Sequence, residues 1–434
     1  MQINVLDFAA KGNGTTNATK AIQAALDAVN DVQNTVVIPA GVYLVGSLFV
    51  KSHTSLVFED GAVLLGTKSL KDYKIINTRV AGIEMKWPAA IINCIDAVDI
   101  SISGNGRIDG QGPFWWAKYW GNDKKNGARK QYDEQNLRWI ADYSIPRPRE
   151  ILLYNASDIK VKDINLTQSG FWNLQITYCS KIEIANLVID KNNGPSTDGI
   201  DIDSSEKVHV HNCVFSCGDD CIAIKSGRDG DGYRVGRPSR IIEIDHCKFL
   251  SGYGLTIGSE VTGSVYEIKV HDLEFVGCDC GIRMKSSAER GGAIENVFVE
   301  NLQMKNVRFP FSWILNWHRE YNLKKISDEE FQSKPEFWRS VAASIPKNLW
   351  QTKVRDVYIK NVSLKLSADY EKSARAFDIK AFPAKPMENI IFEDIKLDVS
   401  EFGNIVGVKG LKFKNVSLNI KHSNQNMNDN FDNR

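Results

Sequence analysis

The chain has 434 residues, 43% of them hydrophobic and 25% charged, with a formal net charge of +1. That balance excludes an intrinsically disordered chain, and it lacks the basic excess with which a nucleic-acid-binding protein meets phosphates. No run approaches the roughly 18 to 20 apolar residues of a membrane-spanning helix, and eight cysteines are too sparse for a disulfide scaffold.

In chain order, Met1-Gln2-Ile3-Asn4 does not open a signal peptide. The expectation is a cytoplasmic protein or one whose leader is absent from this chain, and the chemistry below favours a secreted or periplasmic one. From Thr15 to Asn30, Ile22, Ala25, Leu26 and Val29 follow helical spacing, predicting an amphipathic helix with Asn17 or Thr16 as N-cap. From about residue 97 to 418 a short alternating pattern returns, as in Val98 to Ile102, Asp158 to Val161, Lys181 to Ile184, Lys207 to Val210 and Ile241 to Ile244. Further copies begin at Glu267, Asn296, Asp356, Asn389 and Leu411, mostly about 23 to 33 residues apart. Alternation of period two predicts half-buried strands, and such a repeat without intervening helices predicts the coils of a parallel β-helix. The Thr15 to Asn30 helix would cap its first coil.

This organisation predicts an all-β chain with one β-helix domain over 1–421 and a polar tail at 422–434 containing Asn424, Asn426, Asn428 and Asn430. Two insertions break the period. The first, about 112–149, holds Trp115, Trp116, Trp120, Tyr132, Trp139 and Tyr143; the second, about 309–352, holds Trp313, Trp317, Tyr321, Trp338 and Trp350. Their rings are expected either to wall a sugar-binding cleft or to pack the loops onto the coils. Six Asn-X-Ser/Thr sequons, at Asn13, Asn17, Asn155, Asn165, Asn361 and Asn415, mostly coincide with the coil pattern and read as structural turn residues. Cys213 and Cys247 sit at matching places in neighbouring repeats and read as a buried ladder. A Cys217–Cys221 disulfide and a zinc cluster of His209, His211, Cys213, Cys217 and Cys221 are the alternatives considered.

Polar clusters recur one coil apart in the middle of the chain. They are Ser196-Thr197-Asp198-Gly199, Gly218-Asp219-Asp220, Gly252-Tyr253-Gly254 and Arg283-Met284-Lys285. Stacked side by side, they would place three carboxylates, a tyrosine and two cations on one wall. Glycosidic hydrolysis needs a protonated acid and a carboxylate, and crowding Asp198, Asp219 and Asp220 divides those roles naturally, since repulsion and burial keep one proton bound. A planar guanidinium and an ammonium suit the carboxylate of an acidic sugar. Tyr253, Arg283, Lys285 and Trp172 are the substrate-binding candidates.

Ser-Thr-Asp-Gly, Gly-Asp-Asp-Cys-Ile-Ala-Ile-Lys-Ser-Gly, Gly-Tyr-Gly-Leu-Thr-Ile-Gly-Ser and Gly-Ile-Arg-Met-Lys-Ser, in this order, resemble the motifs of the polygalacturonases, glycoside hydrolase family 28. The opening Asn4 to Gly14 also looks like that of pectin-acting β-helix proteins. The resemblance covers nearly the whole chain. It implies a right-handed parallel β-helix and inverting hydrolysis of galacturonosidic bonds in pectin without metal or cofactor. Carried onto these residues, it makes Asp219 the general acid, Asp198 and Asp220 the groups that orient and deprotonate water, and Arg283 and Lys285 the ligands of galacturonate.

Two positions depart from the family pattern: Ser196 stands where it has Asn, and Tyr253 where it has His. With a reference pKa near 10, Tyr253 carries no positive charge at neutral pH, which points to a variant pectic linkage or subsite geometry. The two insertions favour attack from a chain end, on a pectic polysaccharide or oligogalacturonide, by a monomer without a membrane span. A rhamnogalacturonan-directed hydrolase, a calcium-dependent lyase and a noncatalytic pectin-binding β-helix are the alternatives.

Overall fold

Parallel strands stack along one axis in the computed structural model, which describes residues 2–420 apart from 31, 32, 323 and 325. The predicted polar tail lies outside the described residues. Each repeat sequence forms a strand whose inward side chains sit directly over those of the preceding coil. Ile100, Ile159, Ile182, Val208, Ile242, Ile268, Val297, Val357 and Ile390 form one such column, each in register with the next. All are buried, and each contributes about 1.5 to 3 kcal/mol relative to exposure. Phe215, Phe249 and Phe275 form a second column, with ring centroids 5.2 and 4.5 Å apart. The protein is the right-handed parallel β-helix expected from the repeat and the motifs.

On the larger sheet one residue per coil adopts left-handed backbone geometry, between two strands in the earlier coils and as a kink inside one long strand, such as Val265–Val276, in the later ones. Asp163, Asn186, Asn212, His246, Asp272, Asn301, Asn361, Asp394 and Asn415 all have φ between 50° and 61°. Asn and Asp tolerate this region, and their side chains link neighbouring coils: Asn186 donates to Asp163 at 2.7 Å, Asn361 to Asn301 at 2.7 Å and Asn415 to Asp394 at 2.8 Å. The sequons at Asn155, Asn361 and Asn415 thus hold turns, their amides bonded across coils.

Several boundaries differ from expectation. The strand stack begins at Gln2–Asn4 and already includes Asn34–Ile38 and Thr54–Phe58, well before residue 97. The capping helix is shorter, Thr19–Asp27, because Asn13–Asn17 pairs as a strand with Gly41–Val45. Ala18 is its N-cap residue, while Asn17 Oδ1 still accepts from the Thr19 backbone N–H at 3.0 Å. Ile22, Ala25 and Leu26 are buried against the core as predicted. The second insertion starts only after Phe309–Ile314, which is a sheet strand, so Trp313 is a core residue stacked on Phe392 at 5.5 Å. The first insertion folds into helices Gly112–Trp120, Ala128–Glu134 and Arg138–Ser144. All eight cysteines are buried and free, so no Cys217–Cys221 disulfide forms. His209 and His211 alternate with buried Val208 and Val210 and face outward, away from the cysteines, so that zinc cluster does not form.

If the left-handed turns set coil stability, Asn361→Ala loses both the tolerated backbone geometry and the bond to Asn301. It should cost about 1 to 2 kcal/mol in urea unfolding, whereas Asn361→Gly, which tolerates positive φ, should cost less. Equal losses for both would show that φ is not the constraint.

Candidate active site

Among the described residues, an 11-stranded parallel sheet runs through the middle of the solenoid. Its strands Ile200–Asp203, Ile222–Lys225, Leu255–Ile257 and Cys280–Lys285 lie side by side. Inward they present Ile200 and Ile202, Ile222 and Ile224, Leu255 and Ile257, Ile282 and Met284, which join the core. The alternate residues must then face outward. Register pairs Asp201 with Ala223, Ala223 with Thr256 and Thr256 with Arg283, and pairs Asp203 with Lys225. Asp198, Asp219 and Asp220 sit just ahead of the first two strands, at the mouth of this wall.

The structure brings the sequence-predicted carboxylates together: one oxygen from each of Asp198, Asp219 and Asp220 lies within 4.8 Å of the other two. Asp220 is the most tightly held. Its Oδ2 meets Lys285 Nζ at 2.6 Å, and its Oδ1 accepts from Thr256 Oγ1 at 2.7 Å and from Arg283 Nη1 at 3.3 Å. Asp219 Oδ1 accepts from the Asp220 backbone N–H at 3.0 Å. Gly252 and Gly254, both at positive φ, let the chain pass under the site. A Cβ at Gly252 would lie 2.4 Å from the Asp219 carbonyl, and one at Gly254 would lie 2.3 Å from that of Cys280. Tyr253 between them faces the Arg283 guanidinium, 4.5 Å from its ring centroid.

These contacts separate the carboxylates electrostatically. Burial alone would raise all three, but Lys285 and Arg283 outweigh it at Asp220 and hold that carboxyl below the usual range. Asp219 is pushed up by burial and by the neighbouring Asp220 charge. Asp198 is pushed well up by burial, then by Asp201 and Asp219. The wall therefore holds one lowered carboxyl, Asp220, beside two raised ones, Asp219 and Asp198. The three oxygens are close enough to share a divalent ion, yet both Asp220 oxygens already face cations whose charge would oppose one.

Sequence reasoning missed a second layer behind the triad. Lys225 Nζ lies 2.5 Å from Asp201 Oδ1, 3.6 Å from Asp198 Oδ2 and 4.0 Å from Glu260 Oε2, and 3.9 Å from the centroid of Trp172. Burial lifts Asp201 to about 7 although Lys225 opposes it. Lys225 stands inside the Gly-Asp-Asp motif at an outward strand position, a signal that was present but had no partner without the register. Trp172, stacked on Phe171 at 4.8 Å and buried, reaches the cleft beside Lys225.

The cleft above the triad has a volume of about 340 Å³. Its lining includes both insertions, Tyr119, Trp120 and Arg138 from the first and Trp317, His318 and Tyr321 from the second, with the Arg138 guanidinium 5.3 Å from the Tyr321 ring centroid. Trp317 lies 4.6 Å from Lys285 Nζ. By contrast Trp115, Trp139 and Trp338 are buried, with Trp139 edge-on to Trp338 at 5.5 Å. The insertion aromatics thus divide between lining the cleft and packing the loops. Burial and Arg138 hold His318 down at about 4, leaving it neutral at mild pH.

The family model for glycosyl hydrolases family 28 matches residues 29–316. The chain is 29% identical over 324 residues to a probable polygalacturonase of Vitis vinifera, covering 71% of this chain and 62% of that protein. It is 27% identical over 339 residues to an exo-poly-alpha-D-galacturonosidase of Dickeya chrysanthemi, covering 70% of this chain and 55% of that one. The chain therefore spans only about three-fifths of these relatives' lengths. In fold it is similar to the crystal structure of a hyperthermoactive exopolygalacturonase from Thermotoga maritima, with TM-score 0.76, 22% identity, and coverage of 95% of this chain and 92% of that one.

The raised Asp219 carboxyl has a consequence for stability. Its stabilising contribution is full below the unfolded value near 3.9 and is lost as pH rises through the higher folded value. Asp219→Asn does not titrate, so its melting temperature relative to wild type should rise between pH 4 and pH 8. A difference that stays flat over that range, in paired calorimetric scans, would contradict the protonation state assigned to Asp219.

Proposed function

The chain belongs to glycosyl hydrolases family 28, and from that premise we propose that it hydrolyses galacturonosidic bonds at the end of a pectic chain. The observation that carries this reading is the polarised pair: an Asp219 carboxyl raised by burial and by the Asp220 charge, next to an Asp220 carboxyl held low by Lys285 and Arg283. Asp219 donates its proton to the glycosidic oxygen as the bond from that oxygen to the anomeric carbon breaks. Asp220, with Asp198 beside it, takes a proton from the water that forms the new bond to carbon. Arg283 and Lys285 offer their remaining N–H groups to the carboxylate of the sugar.

Attack from an end is supported by the cleft's walls. Residues of both insertions converge on the same pocket as the triad, as does Ala81 of the hairpin formed by Ile75–Val80 and Ile83–Pro88. A polymer that threads through needs an open groove, whereas walls built from three separate segments suit a terminal sugar. A polymeric substrate also places the reaction outside the cytoplasm.

One observation favours a second reading of the stereochemistry. The closest carboxylate oxygens lie within 4.8 Å, nearer than the roughly 6.5 to 9.5 Å spacing usual for inverting glycosidases and closer to that of retaining ones. Against it, both Asp220 oxygens are engaged by donors, which disfavours covalent attack and suits a carboxylate that orients water.

The test is a digest of homogalacturonan and of rhamnogalacturonan I in the presence of EDTA, followed by product chromatography and by proton NMR of the first-formed anomer. Monomeric galacturonic acid from the start, with inversion, is expected, and Asp219→Asn should lower kcat by about 10²- to 10⁴-fold. A ladder of oligomers at early times would overturn the chain-end reading. Retention would assign Asp220 as nucleophile, and products with new unsaturated ends would indicate a lyase.

A further inference from the structure

Four of the chain's seven histidines, His209, His211, His246 and His271, gather on three successive coils of the larger sheet, away from the sheet that carries the triad. Parallel strands about 4.8 Å apart bring them and the intervening carboxylates into a grid. Every one of these imidazoles faces a carboxylate. His209 Nε2 lies 2.5 Å from Asp245 Oδ2, His246 Nδ1 2.6 Å from Asp245 Oδ1, and His211 Nε2 3.6 Å from Glu183 Oε1. His271 is bonded on both nitrogens, Nδ1 to Asp272 Oδ2 at 2.7 Å and Nε2 to Glu243 Oε1 at 3.1 Å.

Two sets of three donors in this grid have ligand atoms within 4.8 Å of one another: His246, His271 and Asp272, and Glu243, Asp245 and His271. The second set is already committed, since Lys269 Nζ sits 2.6 Å from Glu243 Oε1 and Asp245 holds two histidines. In the first set a single bond, His271 to Asp272, would have to give way to an ion. His246 meets Asp245 through Nδ1, leaving Nε2 for an ion, and His271, held through Nε2 by Glu243, would exchange its Nδ1 bond to Asp272 Oδ2 for the ion. A carboxylate behind each imidazole fixes the tautomer and raises ligand basicity, as behind metal-binding histidines generally. Asn301 Nδ2 steadies Asp272 Oδ1 at 3.0 Å, leaving Oδ2 free to turn from His271 toward an ion. His246 and Asp272 are exposed on adjacent coils, so their side chains can close the remaining distance to ligand bonds of about 2.0 to 2.2 Å.

We propose that His246, His271 and Asp272 form a site for a divalent transition-metal ion, tying two neighbouring coils together on a face separate from the catalytic cleft. Two imidazole nitrogens and one carboxylate oxygen select an ion of the zinc, nickel or copper type over calcium or magnesium, which prefer oxygen-only shells. Water completes the coordination.

The test titrates ZnCl2, and separately CaCl2, into the EDTA-treated and dialysed protein of this sequence by calorimetry, with thermal melting in parallel. One saturable equivalent of Zn²⁺ is expected, together with a higher melting temperature, and both effects should vanish in the His246→Ala/His271→Ala double variant. That variant should keep its hydrolytic activity, which shows that it folds; Asp219→Asn should keep the Zn²⁺ site. The proposal is overturned by an absence of saturable Zn²⁺ binding, by binding that survives in the double variant, by equal binding of Ca²⁺, or by loss of binding in Asp219→Asn, which would place the ion in the cleft.

Discussion

The fixed spacing of parallel strands is the constraint on which everything else in this protein depends. Stacked coils repeat a position about every 4.8 Å, so residues 20 to 60 places apart in sequence become lateral neighbours without any freedom to drift. Inward, the constraint produces the isoleucine and valine column from Ile100 to Ile390. At the turns it produces the Asn/Asp ladder. On the outer wall it forces Asp198, Asp220, Thr256, Arg283 and Lys285 within reach of one another, although no two successive clusters adjoin in sequence.

Such crowding carries a cost that the wall turns to chemical use. Three carboxylates near one another cannot all ionise, and desolvation works against each. Two cations placed on one side of the group break the symmetry. Lys285 and Arg283 both contact Asp220, whereas Lys225 lies behind Asp198 and is shared with Asp201 and Glu260. The result is one carboxyl lowered by its cations between neighbours that burial raises. An acid and a base are thus separated by their surroundings rather than by residue type. Tyr253, stacked near Arg283, adds an aromatic face without adding charge.

Much of this was legible in the sequence. Strands with one wet face, such as Glu206–His211 with Val208 and Val210 inward, display period two and were found at their true positions. The strands that carry the site alternate too, but their outer residues are buried like their inner ones. Ile200–Asp203 and Ile222–Lys225 are buried along their whole length because loops cover their outer residues, so Asp201 and Lys225 could not be told from ordinary strand polar positions. Trp313 was misplaced for a related reason: an aromatic-rich stretch reads as one insertion, and only pairing with Arg375–Lys380 shows that its first six residues are a coil. The early coils escaped notice because their strands are short and their copies, Asn34–Ile38 and Thr54–Phe58, lack the polar alternation of the later ones.

The division of protonation between the two adjacent aspartates can be read directly by a carbon-13 NMR titration of aspartate side-chain carboxyls, with signals assigned through Asp219→Asn and Asp220→Asn. Asp220 is expected to remain ionised to a lower pH than an ordinary aspartate, while Asp219 retains its proton above the ordinary range. If Asp219 instead ionises at or below the pH at which Asp220 does, Lys285 and Arg283 do not polarise the pair, and the assignment of acid and base on this wall is wrong.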